Sequence, residues 1–202
     1  SDFFEITINW LGGHAAKPQI AVDPTIVGSH IVIALQSIVS RNADPTDQIV
    51  VSVTSFETSS TAFNVIPQTA VLRGTVRTLS DETRDLAEKR LEEIARKTGD
   101  VFGAIVDPVY TRGYPVMTNS VDQTEFAASV AKSVSGHCEE APLVMGGEDF
   151  SYMAIERPGA YILIGNGDSA PVHNPNYNFN DEAISIGCSW WAEIIEKRMP
   201  VG

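Results

Sequence analysis

This sequence has little positive charge. Its 202 residues include 14 Lys and Arg against 26 Asp and Glu, which gives a formal net charge of −12. Nucleic-acid binding needs clustered Lys and Arg to neutralise the phosphates, and the sequence contains no run of these residues. The composition therefore predicts a protein with no nucleic-acid partner.

Long apolar runs and cysteines are also lacking. The apolar runs, such as residues 31–35, are far too short for a membrane-spanning helix, which needs about 20 residues. The chain does not open with a basic and then apolar leader. Its two cysteines, Cys138 and Cys188, form no Cys-x-x-Cys pair. These absences predict no membrane partner, two free thiols and a cytoplasmic location.

The first part of the chain alternates between strand and helix patterns. Helices are predicted after Asp23, which precedes a proline, and after Ser80, because both residue types are good N-caps. Alternating or β-branched runs predict strands at residues 4–10, 49–54, 70–76 and from residue 103. The resulting βαββαβ order is typical of the ferredoxin-like fold, with both helices on one face of a four-stranded antiparallel sheet.

Residues 114–202 have a different pattern. Residues 160–165 are continuously apolar, as in a strand that is buried on both faces. A helix is predicted at 181–198, with a buried stripe formed by Ile184, Cys188, Trp191 and Ile195. Few strands are predicted here, and a buried strand without neighbours leaves its backbone groups unpaired. We therefore expect this part to belong to a larger α/β sheet whose other strands lie outside the 202 residues.

The four histidines are the first candidates for chemistry. His14 follows two glycines at a predicted strand-to-loop transition, where glycine lets the backbone approach a ligand closely; an ordinary turn histidine is the alternative. His173 follows the predicted buried strand, and ligands often bind at the carboxyl ends of strands in α/β sheets; an ordinary loop histidine is the alternative there. His30 and His137 are interpreted as structural, within a helix and at a helix end.

Three further polar residues are candidates. Asn64 precedes Val-Ile-Pro, where Asn commonly begins a turn. Arg77 shares a strand face with Arg73, and an exposed strand arginine is usually a solvated charge. Glu148 lies in Met-Gly-Gly-Glu-Asp-Phe, where the acidic pair could simply occupy the first turn of a helix. Each residue alone therefore has an ordinary structural interpretation.

Taken together, these segments resemble a known family. The order and spacing of Gly-Gly-His-Ala-Ala, Asn-Val-Ile-Pro, the arginine, Gly-Gly-Glu-Asp-Phe and His-Asn-Pro are similar to the second half of the metal-dependent amidohydrolases of the aminoacylase and carboxypeptidase family. The most similar branch holds the hippurate hydrolases and N-acyl-amino-acid amidohydrolases. The resemblance covers nearly the whole chain and implies that the first half of the enzyme is absent. It also implies that residues 1–113 form a lid and dimerisation domain and residues 114–202 the C-terminal part of an α/β metallopeptidase-like catalytic domain.

The resemblance implies a role for each candidate. In the family, two divalent metal ions, zinc or manganese, activate a water that attacks the amide carbonyl of an N-acyl amino acid or a similar small amide. His14 is expected to reach across a homodimer, formed through the lid domain, and to stabilise the oxyanion. Asn64, Arg77 and Glu148 are expected to bind or border the substrate, with Arg73 as the alternative to Arg77. His173 is expected to bind one metal.

A single predicted ligand cannot hold a dinuclear centre, because zinc and manganese catalysis needs three or more protein ligands. The family supplies the other ligands and a glutamate general base from its first half, so this chain alone is predicted to be inactive. The alternative function is a non-catalytic dimerisation or ligand-binding module. An RNA-binding ferredoxin-like domain is disfavoured by the acidic charge and by the lack of surface aromatics in the central strands.

Overall fold

The computed structural model describes residues 1–199, which divide into two compact units. The first unit consists of Ser1–Val116 and Met145–Glu148. The second consists of Met117–Val144 and the chain from Asp149 onward. Of the helices described, none has the length and apolar character needed to cross a membrane.

The first unit contains the predicted βαββαβ arrangement. Its strands are β1 (Asp2–Asn9), β2 (Gly13–His14), β3 (Ile49–Thr58), β4 (Val65–Ile66), β5 (Thr69–Thr78) and β6 (Ile105–Arg112). β2 and β4 form a separate two-stranded ribbon, while the other four form an antiparallel sheet in the order β3-β5-β1-β6. Helices α1 (Pro24–Ser37) and α2 (Asp81–Phe102) pack on this sheet and on each other. The ferredoxin-like prediction is confirmed.

The core of the first unit lies between the sheet and the two helices. Apolar residues alternate along the strands, so that one face of the sheet is buried: Phe4, Ile6 and Ile8 of β1 are nearly inaccessible, while Phe3 is exposed. Both helices begin at the predicted caps. Asp23 Oδ1 accepts the N–H of Thr25 at 2.8 Å, and Ser80 Oγ accepts the N–H of Thr83 at 3.1 Å.

A charged pair is buried where β1 begins. The carboxylate of Asp2, which is 1% exposed, accepts hydrogen bonds from Arg84 Nε at 2.8 Å, from the Tyr110 hydroxyl at 2.7 Å and from the N–H of Gly113 at 3.0 Å. Burial by itself would raise the pKa of Asp2, but these hydrogen bonds outweigh it and hold the pKa below its usual value. The network fastens the start of β1 and the end of β6 to α2.

The second unit contains three helices, α3 (Val121–Ser135), α4 (Phe150–Glu156) and α5 (Glu182–Arg198). α3 packs against α5. Their small shared core contains Ala127, Val130 and Trp190, and the indole N–H of Trp190 donates to the carbonyl oxygen of Ala127 at 3.1 Å.

Two predictions for the second unit are wrong. Residues 160–165 do not form a strand, and Leu163 and Ile164 are 61% and 49% exposed. The helix α5 is present, but its predicted stripe is not buried: the exposed members are Ile184, Cys188, Trp191 and Ile195. A strand needs a partner for its N–H and C=O groups, and no strand is present among the described residues of this unit. The apolar side chains of this run and this helix are therefore present, but no described element of the unit covers them.

Candidate functional site

The two-stranded ribbon carries two of the predicted site residues. β2 pairs with β4 so that His14 lies opposite Val65, and the N–H of Ala15 donates to the carbonyl oxygen of Asn64 at 3.0 Å. Both His14 and Asn64 are exposed. The pairing brings these two residues together although they are 50 positions apart in the sequence. We refer to His14 and Asn64 as the ribbon site.

A glycine is required at the base of this ribbon. A Cβ at Gly12 would lie 2.7 Å from the carbonyl oxygen of Ile66 and 3.0 Å from the amide nitrogen of Gln68. Any side chain would therefore force the two backbones apart. Gly12 is explained by this close approach of two protein backbones, whereas the sequence had suggested approach to a ligand.

The imidazole of His14 has a defined hydrogen-bonding state. Its Nδ1 accepts the backbone N–H of Ala16 at 3.1 Å. In a neutral imidazole one nitrogen accepts and the other carries the proton, so the proton of His14 is on Nε2. The exposed ring therefore offers an Nε2–H donor, which can bind a carbonyl oxygen or an anion.

Arg77 lies beside the segment that contains Glu148. Its guanidinium donates a hydrogen bond to the Ser1 hydroxyl. A Cβ at Gly147 would lie 3.1 Å from Nη1 of Arg77, so the backbone of Gly147 passes close to the guanidinium. Sequence reasoning did not identify Gly147 as a neighbour of Arg77. We refer to Arg77, Gly147 and Glu148 as the arginine site.

The two arginines on this face of β5 differ in their charge partners. Arg73 is paired with Glu5 at 2.7 Å and with Glu57 at 3.1 Å. Arg77 forms no salt bridge with any residue that the structure describes. A ligand carboxylate would have to displace two protein carboxylates at Arg73 but none at Arg77.

The ribbon site and the arginine site lie toward opposite ends of the sheet. Asn9 pairs with Thr69 at the end of β5 that is next to the ribbon, and Trp10 continues this pairing by donating to Gln68. Thr69 and Arg77 are eight residues apart on the same strand, a separation of about 26 Å at the usual rise. Within one chain, therefore, Arg77 lies far along the strand from the end of β5 that adjoins the ribbon.

His173 lies in the second unit and has an unusual backbone conformation. Among the described residues other than glycine, it is the one with positive φ, at 68°. The N–H of Asn174 donates to the carbonyl oxygen of Pro171 at 3.1 Å, which closes a four-residue turn with His173 in the third position. That position usually requires glycine when φ is positive, and non-glycine residues held in this region cluster at functional sites. This signal is invisible in the sequence.

The other two histidines lie one in each unit. His30 is on α1, with its ring 4.8 Å from the ring of Phe102. His137 follows α3, and its Nε2 is 3.6 Å from Glu139. Within residues 1–199, neither belongs to a group of three or more side chains that could hold a metal ion.

Metal coordination does not fit this chain by itself. Within residues 1–199, no group of three or more His, Cys, Asp and Glu side chains is arranged to hold a metal ion. His173 thus lacks companion ligands in the part of the chain described. A dinuclear centre would need ligands beyond these residues.

Comparison with known proteins extends the resemblance. The sequence pattern that defines Peptidase family M20/M25/M40 matches residues 6–197. Hippurate hydrolase of Campylobacter jejuni is 36% identical over 206 positions, which cover 98% of this chain and 52% of that protein. N-acetyldiaminopimelate deacetylase of Enterococcus faecalis is 34% identical, over 90% of this chain and 48% of that protein.

A solved structure has the same fold. A dinuclear metal binding peptidase of the M20 family from Bacillus subtilis matches with a TM-score of 0.75 and 26% identity, over 96% of this chain and 48% of that one. The chain spans about half the length of the curated relatives it matches. These matches confirm the predicted resemblance to metal-dependent amidohydrolases. With a family match over most of its length and relatives above 30% identity, the chain belongs to the M20/M25/M40 peptidase family.

Proposed function

We propose that this chain provides the lid and dimerisation domain, together with the C-terminal part of the catalytic domain, of a metal-dependent amidohydrolase. Its substrates are N-acyl amino acids or similar small amides. The observation that carries this proposal is the placement of His14 beside Asn64 on an exposed ribbon, in a chain of the M20/M25/M40 family. The names of two relatives, a hippurate hydrolase and a deacetylase, support the class of substrate.

His14 stabilises the oxyanion in this proposal. Its Nε2–H donates to the scissile carbonyl oxygen as negative charge develops there. The hydrogen bond from Ala16 to Nδ1 fixes both the tautomer and the orientation of the ring, so that little reorganisation is needed during the reaction. A preorganised donor of this kind typically lowers the barrier by about 3 kcal/mol. Asn64, next to His14, binds a polar group of the substrate.

Arg77 binds the substrate carboxylate. A guanidinium can hold a carboxylate through two parallel hydrogen bonds, and Arg77 has a neutral hydroxyl as its protein partner where Arg73 has two carboxylates. Glu148 lies on the segment beside Arg77 and borders the same site. We therefore favour Arg77 over Arg73 as the residue that binds substrate.

Each active site draws on two chains. The roughly 26 Å along β5 between the ribbon end and Arg77 is too long for a small N-acyl amino acid to bridge. If both sites bind one substrate, the ribbon site of one protomer must meet the arginine site of its partner. This arrangement accounts for the exposure of His14 and Asn64 on the ribbon.

The proposed homodimer forms through α1 and β3. α1 contains no Asp, Glu, Lys or Arg, and its outward residues Ile26 and Ile33 are 50% and 70% exposed. β3 is an edge strand, with Val50 and Phe56 39% and 38% exposed. An unpaired strand edge is a ready template for another chain. A two-fold axis would let β3 pair with its own copy while α1 packs against its copy.

His173 is proposed to bind one of two divalent metal ions, zinc or manganese. The remaining metal ligands and the general base would come from residues of the complete enzyme that lie outside these 202. The exposed Leu163 and Ile164 and the exposed stripe of α5 support this division, since large apolar surfaces in soluble proteins are normally covered. We therefore expect the 202-residue chain alone to be inactive. A cytoplasmic location also remains a prediction.

Mixed dimers of the complete enzyme test the two-chain site. A dimer of one His14→Ala and one Arg77→Ala subunit should contain one intact site, because its wild-type ribbon faces a wild-type arginine. Random subunit exchange should then restore about a quarter of wild-type activity. Mixing His14→Ala with Asn64→Ala is the matched control and should restore nothing, because both residues belong to the same ribbon. Equal behaviour of the two mixtures would contradict the two-chain site.

A non-catalytic ligand-binding module is the second candidate function. The absence of a metal-holding group among the described residues favours it. It predicts that the complete protein binds N-acyl amino acids, as measured by calorimetry, but releases no product from them over a long incubation with zinc or manganese.

A further inference from the structure

Asn166 connects the two ends of a loop in the second unit. Its Oδ1 accepts the backbone N–H of Asn180 at 2.8 Å. Its Nδ2 donates to the carbonyl oxygen of Asn178 at 2.8 Å and to the hydroxyl of Ser169 at 2.8 Å. One half-buried carboxamide thus uses its acceptor and both of its donors.

The loop that Asn166 closes has little structure of its own. Residues 167–179 contain neither helix nor strand, and long loops of this kind are typically either functional or disordered. The far end of the loop is fixed to α5, because Asn180 Oδ1 accepts the N–H of Glu182 at 3.1 Å. The side chain of Asn166 therefore ties the beginning of the loop to the start of a helix.

His173 lies in the middle of this loop in a strained conformation. A left-handed backbone is unfavourable for a residue with a side chain, and it persists only where the surrounding structure fixes it. The local turn supplies one restraint, from Asn174 to Pro171. The hydrogen bonds from Asn166 to Asn178 and from Asn180 to Asn166 join the two ends of the loop as a second restraint.

We propose that Asn166 is the residue that positions His173, by holding closed the loop of residues 167–179. Asn166 acts through the backbone and does not touch the substrate. The catalytic consequence rests on the proposed function of His173, whereas the effect on the loop does not.

Three variants of the complete enzyme separate these effects. Asn166→Ala removes all three hydrogen bonds without adding charge. Asn166→Asp keeps the acceptor, loses both donors and brings a negative charge to the carbonyl of Asn178. Asn176→Asp is the matched control: it makes the same chemical change in the same loop, at an exposed side chain that has no hydrogen bond to the described residues.

The measurements are backbone hydrogen exchange over residues 167–180, kcat and KM for an N-acyl amino acid, and the melting temperature. We expect both Asn166 variants to exchange loop amides at least about tenfold faster, because the loop is no longer closed. We expect a similar fall in kcat, with KM and melting temperature nearly unchanged. A purely structural role would instead lower the melting temperature. Asn176→Asp should match the wild type in all four measurements.

Two outcomes would overturn the inference. One is unchanged loop exchange in Asn166→Ala. The other is faster exchange with wild-type kcat in a protein that His173→Ala inactivates, since His173 would then be positioned by something else. If His173→Ala itself retains full activity, the proposed function of His173 fails, and the exchange data alone decide whether Asn166 closes the loop.

Discussion

The two units of this chain differ sharply in how they bury their apolar side chains. The first unit has a continuous core of 17 buried residues that joins the sheet to both helices. Among its described residues the second has a buried core of three, Ala127, Val130 and Trp190, although its sequence contains a continuous apolar run and a helix with an apolar stripe. The second unit therefore carries the pattern of a core without the elements that would complete it.

An apolar sequence pattern leads to burial only where a partner element is present. In the first unit each strand pairs with another strand of the same unit, so that alternation along β1 translates directly into burial. In the second unit, Leu163 and Ile164 have the character of a buried strand but remain exposed. A pattern identifies a surface to be covered, and the covering element must come from elsewhere.

Separating the units should give the largest effect. Residues 1–116 alone should unfold cooperatively, with a free energy of unfolding of about 5 kcal/mol or more, because their core is complete. Residues 117–202 alone should show no cooperative transition. Urea titration monitored by circular dichroism measures both. A cooperative transition in the second fragment would break the comparison between the units.

Replacing the candidate histidine of each unit should separate their functions. His14→Ala in the complete enzyme should lower kcat by about 10²–10³-fold, with metal content unchanged, because a transition-state donor is lost. His173→Ala should lower both activity and metal content. Steady-state kinetics and elemental analysis give the two readouts. Loss of metal from the His14→Ala protein would show that His14 is a ligand instead.

The buried ion pair of the first unit should contribute far more to the free energy of unfolding than an exposed pair on the same sheet. Asp2→Asn leaves Arg84 buried without its counter-charge and should lower the free energy of unfolding by on the order of 3 kcal/mol. Glu5→Gln, which breaks an exposed pair with Arg73, should have little effect. Urea unfolding at neutral pH measures both. Equal effects of the two substitutions would mean that Asp2 is not buried in solution.

Asp2 should also make the first unit sensitive to acid. Because its pKa is lower in the folded protein than in the unfolded chain, its stabilisation is complete above the unfolded value of about 3.9. The stabilisation should be lost as the pH falls from there through the folded pKa. The difference in unfolding free energy between wild type and Asp2→Asn should therefore shrink progressively as the pH falls below about 4. A difference that stays constant over this range would contradict the lowered pKa.

Substitution of the exposed Trp191 should give the smallest change in unfolding free energy, and the buried Trp190 beside it is the control. Trp191, 61% exposed, should tolerate substitution by Ser in the 202-residue chain with a change within about 0.5 kcal/mol. Trp190→Ala should cost about 3 kcal/mol, because that ring is buried against α3. In the complete enzyme the cost of Trp191→Ser should rise, since we propose that this face is covered there. If Trp191→Ser lowers the free energy of unfolding equally in the two proteins, the stripe of α5 is not covered in the complete enzyme, contrary to the proposal.

Local features of the fold could be predicted from the sequence. The caps at Asp23 and Ser80 act within three residues, and the alternation along β1 is a property of one strand, so both appear directly in the pattern. The Asp2–Arg84 pair was missed because its members are 82 positions apart. No local pattern indicates that they meet.

The candidate site could be predicted only in part. Motifs identified His14 and Asn64 as candidates, but the ribbon that brings them together is visible only in the structure. The separation of Arg77 from this ribbon depends on the direction of β5. The left-handed backbone of His173 and the three hydrogen bonds of Asn166 depend on the closed loop. Residue type and spacing do not encode any of these.

Hydrolysis of N-acyl amino acids by the complete protein, beside the 202-residue chain, tests the central claim most directly. The proposed function predicts release of the free amino acid by the complete protein, loss of that activity with a metal chelator, and its return with zinc or manganese. It predicts no release by the chain alone, in which the described residues provide no group to hold a metal. Hydrolysis by the 202-residue chain at the rate of the complete protein, or none by either, would contradict the account.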